Sequence, residues 1–108
     1  MSDTIVIIPT LNEIENIKEI ISAVFSDKKK FHVLVVDDNS QDDTPEVVEE
    51  LMKKFPERLF LEKRKGKKGL GSAYILGFKW ALKKDYEYMI EMDADFSHNP
   101  KDLIKLYK

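Results

Sequence analysis

The chain contains no cysteine among its 108 residues, and this absence removes several kinds of chemistry at once. It can form no disulfide, no thiolate metal site and no cysteine nucleophile. Long apolar runs are missing too. Stretches such as Ile5–Ile8 and Val33–Val36 fall far short of the roughly 20 residues that cross a bilayer. No basic and apolar leader opens the chain, so we expect no signal peptide and a cytoplasmic location.

A strong charge of either sign is also absent. The formal net charge is -2, with 43% apolar and 35% charged residues. This composition is typical of a single core with a well-solvated surface, and it predicts one domain over residues 1–108. The overall charge gives no reason to expect a nucleic-acid partner. The charge is unevenly spread, however, because basic residues are concentrated in Lys63–Lys68.

Short apolar segments alternate with amphipathic patterns along the chain. The segments predicted as strands are Thr4–Ile8, His32–Val36, Arg58–Leu61 and Tyr88–Met92. The first, second and fourth barely alternate between apolar and polar residues, which is typical of strands buried on both faces of a parallel sheet.

The predicted helices lie between and after these strands. The first covers about Glu13–Ser26, and the second is capped by Thr44 with Pro45 at its first position. The third covers about Leu70–Lys84, and the fourth begins at Asn99-Pro100. Gly77 inside the third helix predicts a close approach to the sheet. The β-α repeat therefore predicts an α/β fold with a parallel sheet of about four strands and helices on both faces.

Polar segments follow three of the predicted strands. They read "PTLNE", "DDNSQDDT" and "DADFSHNP". In such sheets ligands bind beyond the carboxyl ends of the strands, near the point where strand order reverses. The three segments therefore share one rim of the sheet, and they converge if the first strand lies between the second and the fourth.

Asp93 and Asp95 follow the fourth strand one residue apart. In extended chain their side chains point the same way, and two carboxylates that close together favour a cation between them. Mg²⁺ or Mn²⁺ would accept their oxygens and keep positions for phosphates and water. The alternative is that Asp95 or Ser97 only caps the turn before the last helix.

Acidic residues also stand at the other two strand ends. Adjacent residues of a strand point to opposite faces, so only one of Asp37 and Asp38 can easily face the crevice. An acid there commonly accepts a hydrogen bond from a ribose hydroxyl or a base N–H. The alternative is turn chemistry, which we prefer for the Asn, Ser and Asp residues that follow. Glu13 could receive a base N–H or merely stabilise the helix dipole.

The stretch "RKGKKGLGSAY", residues 64–74, is a basic, glycine-rich loop that leads into a helix. Glycines let the backbone approach a ligand, and a helix N-terminus favours anions. The stretch matches neither the P-loop nor the dinucleotide fingerprint. The alternative is a solvated basic loop.

Together these segments resemble the family 2 glycosyltransferases of the GT-A type, and most of all the polyprenol-phosphate or dolichol-phosphate mannosyl- and glucosyltransferase branch. The matching segments are "IPTLNEIENI", "VVDDNSQDDT", "RKGKKGLGSAYILGF" and "MDADFSHNP". They occur in the family's order and spacing and span nearly the whole chain. "GLGSAY" and "DADFSHNP" are the more specific pieces.

The resemblance implies a Rossmann-like sheet that binds a nucleotide diphosphate sugar, GDP-mannose or UDP-glucose. It places Asp93 and Asp95 at the catalytic metal, Mg²⁺ or Mn²⁺, against the donor diphosphate. The acceptor it implies is polyprenyl or dolichyl phosphate, with the full-length protein at the cytoplasmic face of a membrane. The implied nucleotide-binding residues are Pro9, Leu11, Glu13, Asp38 and Ala94, with Arg64 and Lys68 as possible phosphate contacts.

The chain departs from the family in two ways. Leu11 stands where this branch often has tyrosine, which puts a stacking contact to the base in doubt. Family members also continue well past 108 residues, so we expect a truncated, donor-binding N-terminal part that is inactive alone. One rival is a non-catalytic folding or nucleotide-binding module that self-associates through a bare sheet edge. Another is a receiver-like domain with Asp37, Asp38 and Asp93 as its acidic cluster, which leaves the glycine-rich loop unexplained.

Overall fold

The computed structural model describes residues 3–26, 31–64 and 70–92. These residues form four parallel strands and three helices in strict alternation. The strands are β1 (Thr4–Thr10), β2 (His32–Asp37), β3 (Leu59–Lys63) and β4 (Tyr88–Glu91), and the helices are α1 (Ile17–Phe25), α2 (Thr44–Lys54) and α3 (Leu70–Lys83). The predicted α/β class is confirmed. The predicted fourth helix lies outside the described residues.

The sheet order is β3-β2-β1-β4, so β1 lies between β2 and β4. This is the order that makes the ends of strands one, two and four converge. Strand order reverses at β1, and Thr10 of β1 stands opposite Asp37 of β2. The crevice expected of a parallel sheet therefore opens beyond Thr10 and Asp37.

Both faces of the sheet are covered, as the non-alternating strands predicted. Val6 and Ile8 pack in a cluster with α1 and α2, whereas Ile5 and Ile7 pack with α3. All four side chains are fully buried, because successive strand residues point to opposite faces and each face carries a helical layer.

Gly77 lets α3 lie close against β1. A Cβ atom built at this position would lie 2.6 Å from Cγ2 of Ile7, well inside van der Waals contact. The predicted close approach is confirmed.

Two predicted helix starts need correction. α1 begins at Ile17 rather than near Glu13, and a turn precedes it in which the carbonyl of Glu13 accepts the N–H groups of Asn16 and Ile17. Thr44 is the first residue of α2 and not its cap; Asp43 holds the N-cap position without a side-chain capping bond. In the part of the chain that is described, no helix is long and apolar enough to span a membrane.

Candidate functional site

The loops that follow β1 and β2 meet at the carboxyl edge of the sheet and are joined by hydrogen bonds. Asn12 is central to this contact: its Oδ1 accepts the N–H of Gln41 at 2.7 Å and of Asp42 at 3.2 Å. Its own N–H donates to Oγ of Ser40 at 2.8 Å. Asn12 adopts a positive φ of 56°, a conformation that asparagine tolerates better than most residues.

Two further bonds join the second of these loops and α2 to the chain after Asn12. The N–H of Glu13 donates to Oγ1 of Thr44 at 3.0 Å, and the N–H of Ile14 donates to Oδ2 of Asp42 at 3.2 Å. Thr44 therefore contributes to the site by accepting from Glu13 rather than by capping α2. We call residues 11–16 and 38–44 the paired loops.

Asp42 holds the second paired loop against the start of α2. Its Oδ1 accepts the N–H of Thr44 at 2.9 Å and also the hydroxyl of Thr44. Burial alone would raise the pKa of Asp42, but the hydrogen bonds from Thr44 and from the N–H of Ile14 outweigh it and lower this pKa. The carboxylate is thus held ionised for a structural purpose, as the turn interpretation of this segment predicts.

Asp37 is 1% exposed, and its carboxylate is engaged inside the fold. Oδ1 accepts the hydroxyls of Thr10 at 2.7 Å and of Ser40 at 2.6 Å, while Oδ2 accepts the N–H of Ser40 at 2.9 Å. These bonds connect the end of β2 to the end of β1 and to the loop that follows β2, so Asp37 stabilises the carboxyl edge of the sheet.

Asp38 is also buried, but its partner is a cation. Oδ1 of Asp38 lies 3.2 Å from NH2 of Arg64, and both side chains are at most 10% exposed. NH1 of Arg64 donates to Oγ of Ser72 at 2.7 Å, which joins β3, the end of β2 and the first turn of α3. The backbone N–H of Arg64 donates to the carbonyl of Asp37 at 2.8 Å.

The model of glycosyl transferase family 2 matches residues 5–108. The chain belongs to this family. It is 46% identical over 103 residues to the polyprenol monophosphomannose synthase of Mycolicibacterium smegmatis, covering 95% of this chain and 39% of that protein. It is 42% identical over 100 residues to the undecaprenyl-phosphate mannosyltransferase of Micrococcus luteus, covering 93% of this chain and 41% of that protein.

A solved structure agrees with these relatives. The mannosyltransferase PcManGT from Pyrobaculum calidifontis, in complex with GDP-Man and Mn²⁺, superposes with a TM-score of 0.68 at 28% identity. The match covers 72% of this chain and 24% of that one. The coverages of 39% and 41% mean that the chain spans about two fifths of the length of the two relatives from Mycolicibacterium smegmatis and Micrococcus luteus.

Among the residues expected to contact a nucleotide in this family, the structure describes five. Pro9 is buried in β1, Leu11 and Glu13 are half-buried in the first of the paired loops, and Asp38 follows β2. Arg64 follows β3 and is joined to Asp38. All five stand at the carboxyl edge, and contact with a nucleotide stays a prediction.

The other predicted site residues, Lys68, Asp93, Ala94 and Asp95, lie outside the described residues. Residues 3–26, 31–64 and 70–92 contain no cluster of three or more side chains suited to a metal ion. Met92, the last described residue, donates its N–H to the carbonyl of Ile7 at 3.0 Å, so β4 ends beside β1 on the same rim. Asp93 and Asp95 follow directly in the sequence, and carboxylates are the donors that Mg²⁺ and Mn²⁺ favour.

Several residues at this edge were missed by reasoning from the sequence. Asn12 joins the paired loops, and Ser72 holds Arg64. Asp42 was covered by the predicted turn chemistry, since an Asp two residues before a Thr at a helix start often accepts its N–H. No signal existed for Ser72, because its role depends on a contact eight residues away in the chain.

Proposed function

We propose that this chain forms the donor-binding part of a glycosyltransferase that transfers mannose or glucose from a nucleotide diphosphate sugar to a polyprenyl or dolichyl phosphate. The observation that carries the proposal is the family match over residues 5–108, joined to a relative named for polyprenol and mannose. The convergence of the paired loops at the switch point of the sheet supports it, because that is where open α/β sheets bind nucleotides.

The described residues suggest how the nucleoside is held. Asp38 would accept a hydrogen bond from the base or the ribose, and its ion pair with Arg64 fixes the position of the carboxylate. Glu13 lies in the opposite paired loop and would approach the nucleoside from that side. Because the loops are hydrogen-bonded to each other before any ligand arrives, little ordering cost remains for binding.

Asp93 and Asp95 are the residues that would hold Mg²⁺ or Mn²⁺ against the diphosphate. A bound cation supplies charge neutralisation for the departing nucleoside diphosphate. In the transfer itself, a phosphate oxygen of the acceptor forms a bond to the anomeric carbon of the sugar. The bond from that carbon to the diphosphate oxygen breaks, and the nucleoside diphosphate leaves with the bonding electrons.

The proposal is tested by titrating the chain with GDP-mannose, UDP-glucose and UDP-N-acetylglucosamine, each with and without Mn²⁺. We expect one donor to bind and Mn²⁺ to strengthen its binding. Asp95→Asn should remove the Mn²⁺ dependence, whereas Asp43→Asn, which changes an exposed carboxylate with no capping bond, should not. Absence of binding by all three donors, or an unchanged Mn²⁺ effect in Asp95→Asn, would contradict the proposal.

We expect the 108 residues to bind donor without transferring sugar. Transfer needs the acceptor to be positioned beside the anomeric carbon, and positioning supplies much of the rate of such reactions. The two relatives are much longer than this chain, since the match covers only 39% and 41% of their lengths. Incubation with radiolabelled donor, Mn²⁺ and dolichyl phosphate measures this directly. Robust formation of lipid-linked sugar would show that the chain is catalytically sufficient.

A further inference from the structure

The outward side of α3 differs from the outward side of the other helical layer. Ile75 and Leu82 are 56% and 63% exposed, and Lys79 and Lys83 are exposed beside them. These four residues are spaced by three and four positions or stand next to each other, so they lie on one face of the helix. We call Ile75, Lys79, Leu82 and Lys83 the α3 outer face.

The charge of the α3 outer face is uncompensated within its own helix. The sequence of α3, LGSAYILGFKWALK, contains no acidic residue. Within the described part of the chain, neither Lys79 nor Lys83 takes part in an ion pair. Glu62 of β3 is the acidic side chain that borders this region.

The opposite layer lacks both properties. α2 carries Glu46, Glu49 and Glu50 against Lys53 and Lys54, so its outward charges nearly cancel. Among the described residues, the large apolar side chains that are exposed on a helix all belong to α3. The molecule therefore presents one helical layer that is cationic and apolar, and another that is mixed in charge and polar.

A groove of about 480 Å³ runs between α3 and the end of β3. Ile75, Leu76 and Trp80 give it an apolar wall, while Lys79 and Lys83 stand on its border. Cations placed beside aliphatic and aromatic side chains suit a headgroup that is anionic at one end and joined to hydrocarbon at the other.

We propose that the α3 outer face docks on an anionic lipid bilayer. Lys79 and Lys83 contact lipid phosphates, and Ile75 and Leu82 enter the boundary between headgroups and acyl chains. The purpose of this contact rests on the proposed function, because an acceptor such as polyprenyl phosphate is held in a membrane. Ile75 lies three residues, about 4.5 Å along the helix axis, beyond Ser72, which accepts a hydrogen bond from Arg64 at the candidate site. Docking through α3 therefore brings the carboxyl edge of the sheet, where we propose that the nucleotide binds, towards the lipid surface.

The test is co-sedimentation of the chain with vesicles of phosphatidylcholine alone and of phosphatidylcholine mixed with phosphatidylglycerol. We expect binding to the mixed vesicles that weakens with added salt. The double variant K79Q/K83Q should weaken this binding at least about tenfold, and I75S/L82S should weaken it as well. The matched control is K53Q/K54Q, which removes two lysines from the opposite layer. It should bind like the unchanged chain, and circular dichroism should show that all variants are folded.

Three results would overturn the proposal. One is equal binding to both kinds of vesicle, and another is an equal loss in K53Q/K54Q and K79Q/K83Q. The third is self-association of the chain, detected by sedimentation velocity and abolished in I75S/L82S, which would assign the face to a second copy. A nucleotide titration run in parallel keeps the two proposals apart. Failure to bind vesicles with intact nucleotide binding removes only the docking proposal, and the reverse result removes only the donor-binding one.

Discussion

Asp37 and Asp38 are neighbours in the sequence with different tasks in the fold. Asp37 accepts hydrogen bonds from Thr10 and Ser40, whereas Asp38 faces Arg64. Asp37→Asn should therefore lower the free energy of unfolding by about 1–3 kcal/mol, because buried donors lose a charged acceptor. Nucleotide binding by the folded fraction should change little. Urea unfolding and nucleotide titration measure the two effects separately.

Asp38→Asn should instead weaken the binding of a nucleoside monophosphate, without metal, by about tenfold or more, as expected for loss of a charge-assisted hydrogen bond. Asparagine is the suitable replacement, since alanine would also leave the Arg64 guanidinium facing a gap. Ser72→Ala is the control, because it removes a bond to Arg64 and leaves the Asp38 carboxylate in place. If Asp37→Asn rather than Asp38→Asn weakens binding at unchanged stability, our assignment of the two residues is reversed.

At the scale of elements, the contact between α3 and β1 depends on a missing side chain. An alanine in an exposed helix interior is about 1 kcal/mol more favourable than glycine. At Gly77 the new Cβ would meet Cγ2 of Ile7 at 2.6 Å inside the core. We expect Gly77→Ala to be destabilising by about 1–3 kcal/mol, as overpacking usually is. Ile7→Ala in the same chain should recover part of this loss in a double-mutant cycle of urea unfolding, and strictly additive effects would argue against the contact.

The stability that the side-chain hydrogen bonds of Asn12 give to the paired loops can be measured separately from the backbone strain at Asn12. Asn12→Gly keeps the positive φ and loses the side-chain acceptor, so we expect a loss of about 0.5–1.5 kcal/mol. Asn12→Ala should cost about 1–2 kcal/mol more, because alanine is strained at a φ of 56°. Asn39→Ala is the matched control, since Asn39 has a φ of 65° and lies outside the Asn12 contacts. Equal stability of the glycine and alanine variants would contradict this division, and urea unfolding measures it.

For the whole molecule, the pH dependence of stability should reflect His32. Its Nδ1 lies 2.6 Å from the Tyr86 hydroxyl, which connects the start of β2 to the segment before β4. Burial, and then the charge of Arg58, lowers the pKa of His32 below 6.5. The unfolded chain thus binds more protons than the folded one between the folded pKa and 6.5, and stability falls as the pH decreases through that window. His32→Gln should flatten the change in unfolding free energy between about pH 7.5 and about pH 5.5. An unaltered slope would show that other groups cause it.

The fold could be predicted further from the sequence than the site could. An apolar run such as Ile5–Ile8 predicts a strand that is buried on both faces, and Gly77 inside a helix predicts a close contact with the sheet. Both predictions succeed because they depend only on the local sequence. The order of the strands stayed open, because right-handed crossovers set the hand of each connection and not which strand lies in the middle. The partners of Asp38 and Asn12 could not be predicted, because each depends on which side chain another loop brings within 3.2 Å. Lys68, Asp93 and Asp95 remain predictions.

The hydrogen bonds between the paired loops also bear on how this protein could be engineered or could diverge. Residues 11–16 and 38–44 form five hydrogen bonds with each other. A single loop transplanted from a homologue would therefore lack the residues with which it forms these hydrogen bonds. A chimera that receives both segments together should keep its melting temperature, whereas either segment alone should lower it. Changes in donor preference that pass through Glu13 or Asp38 would then be inherited as a linked pair of segments.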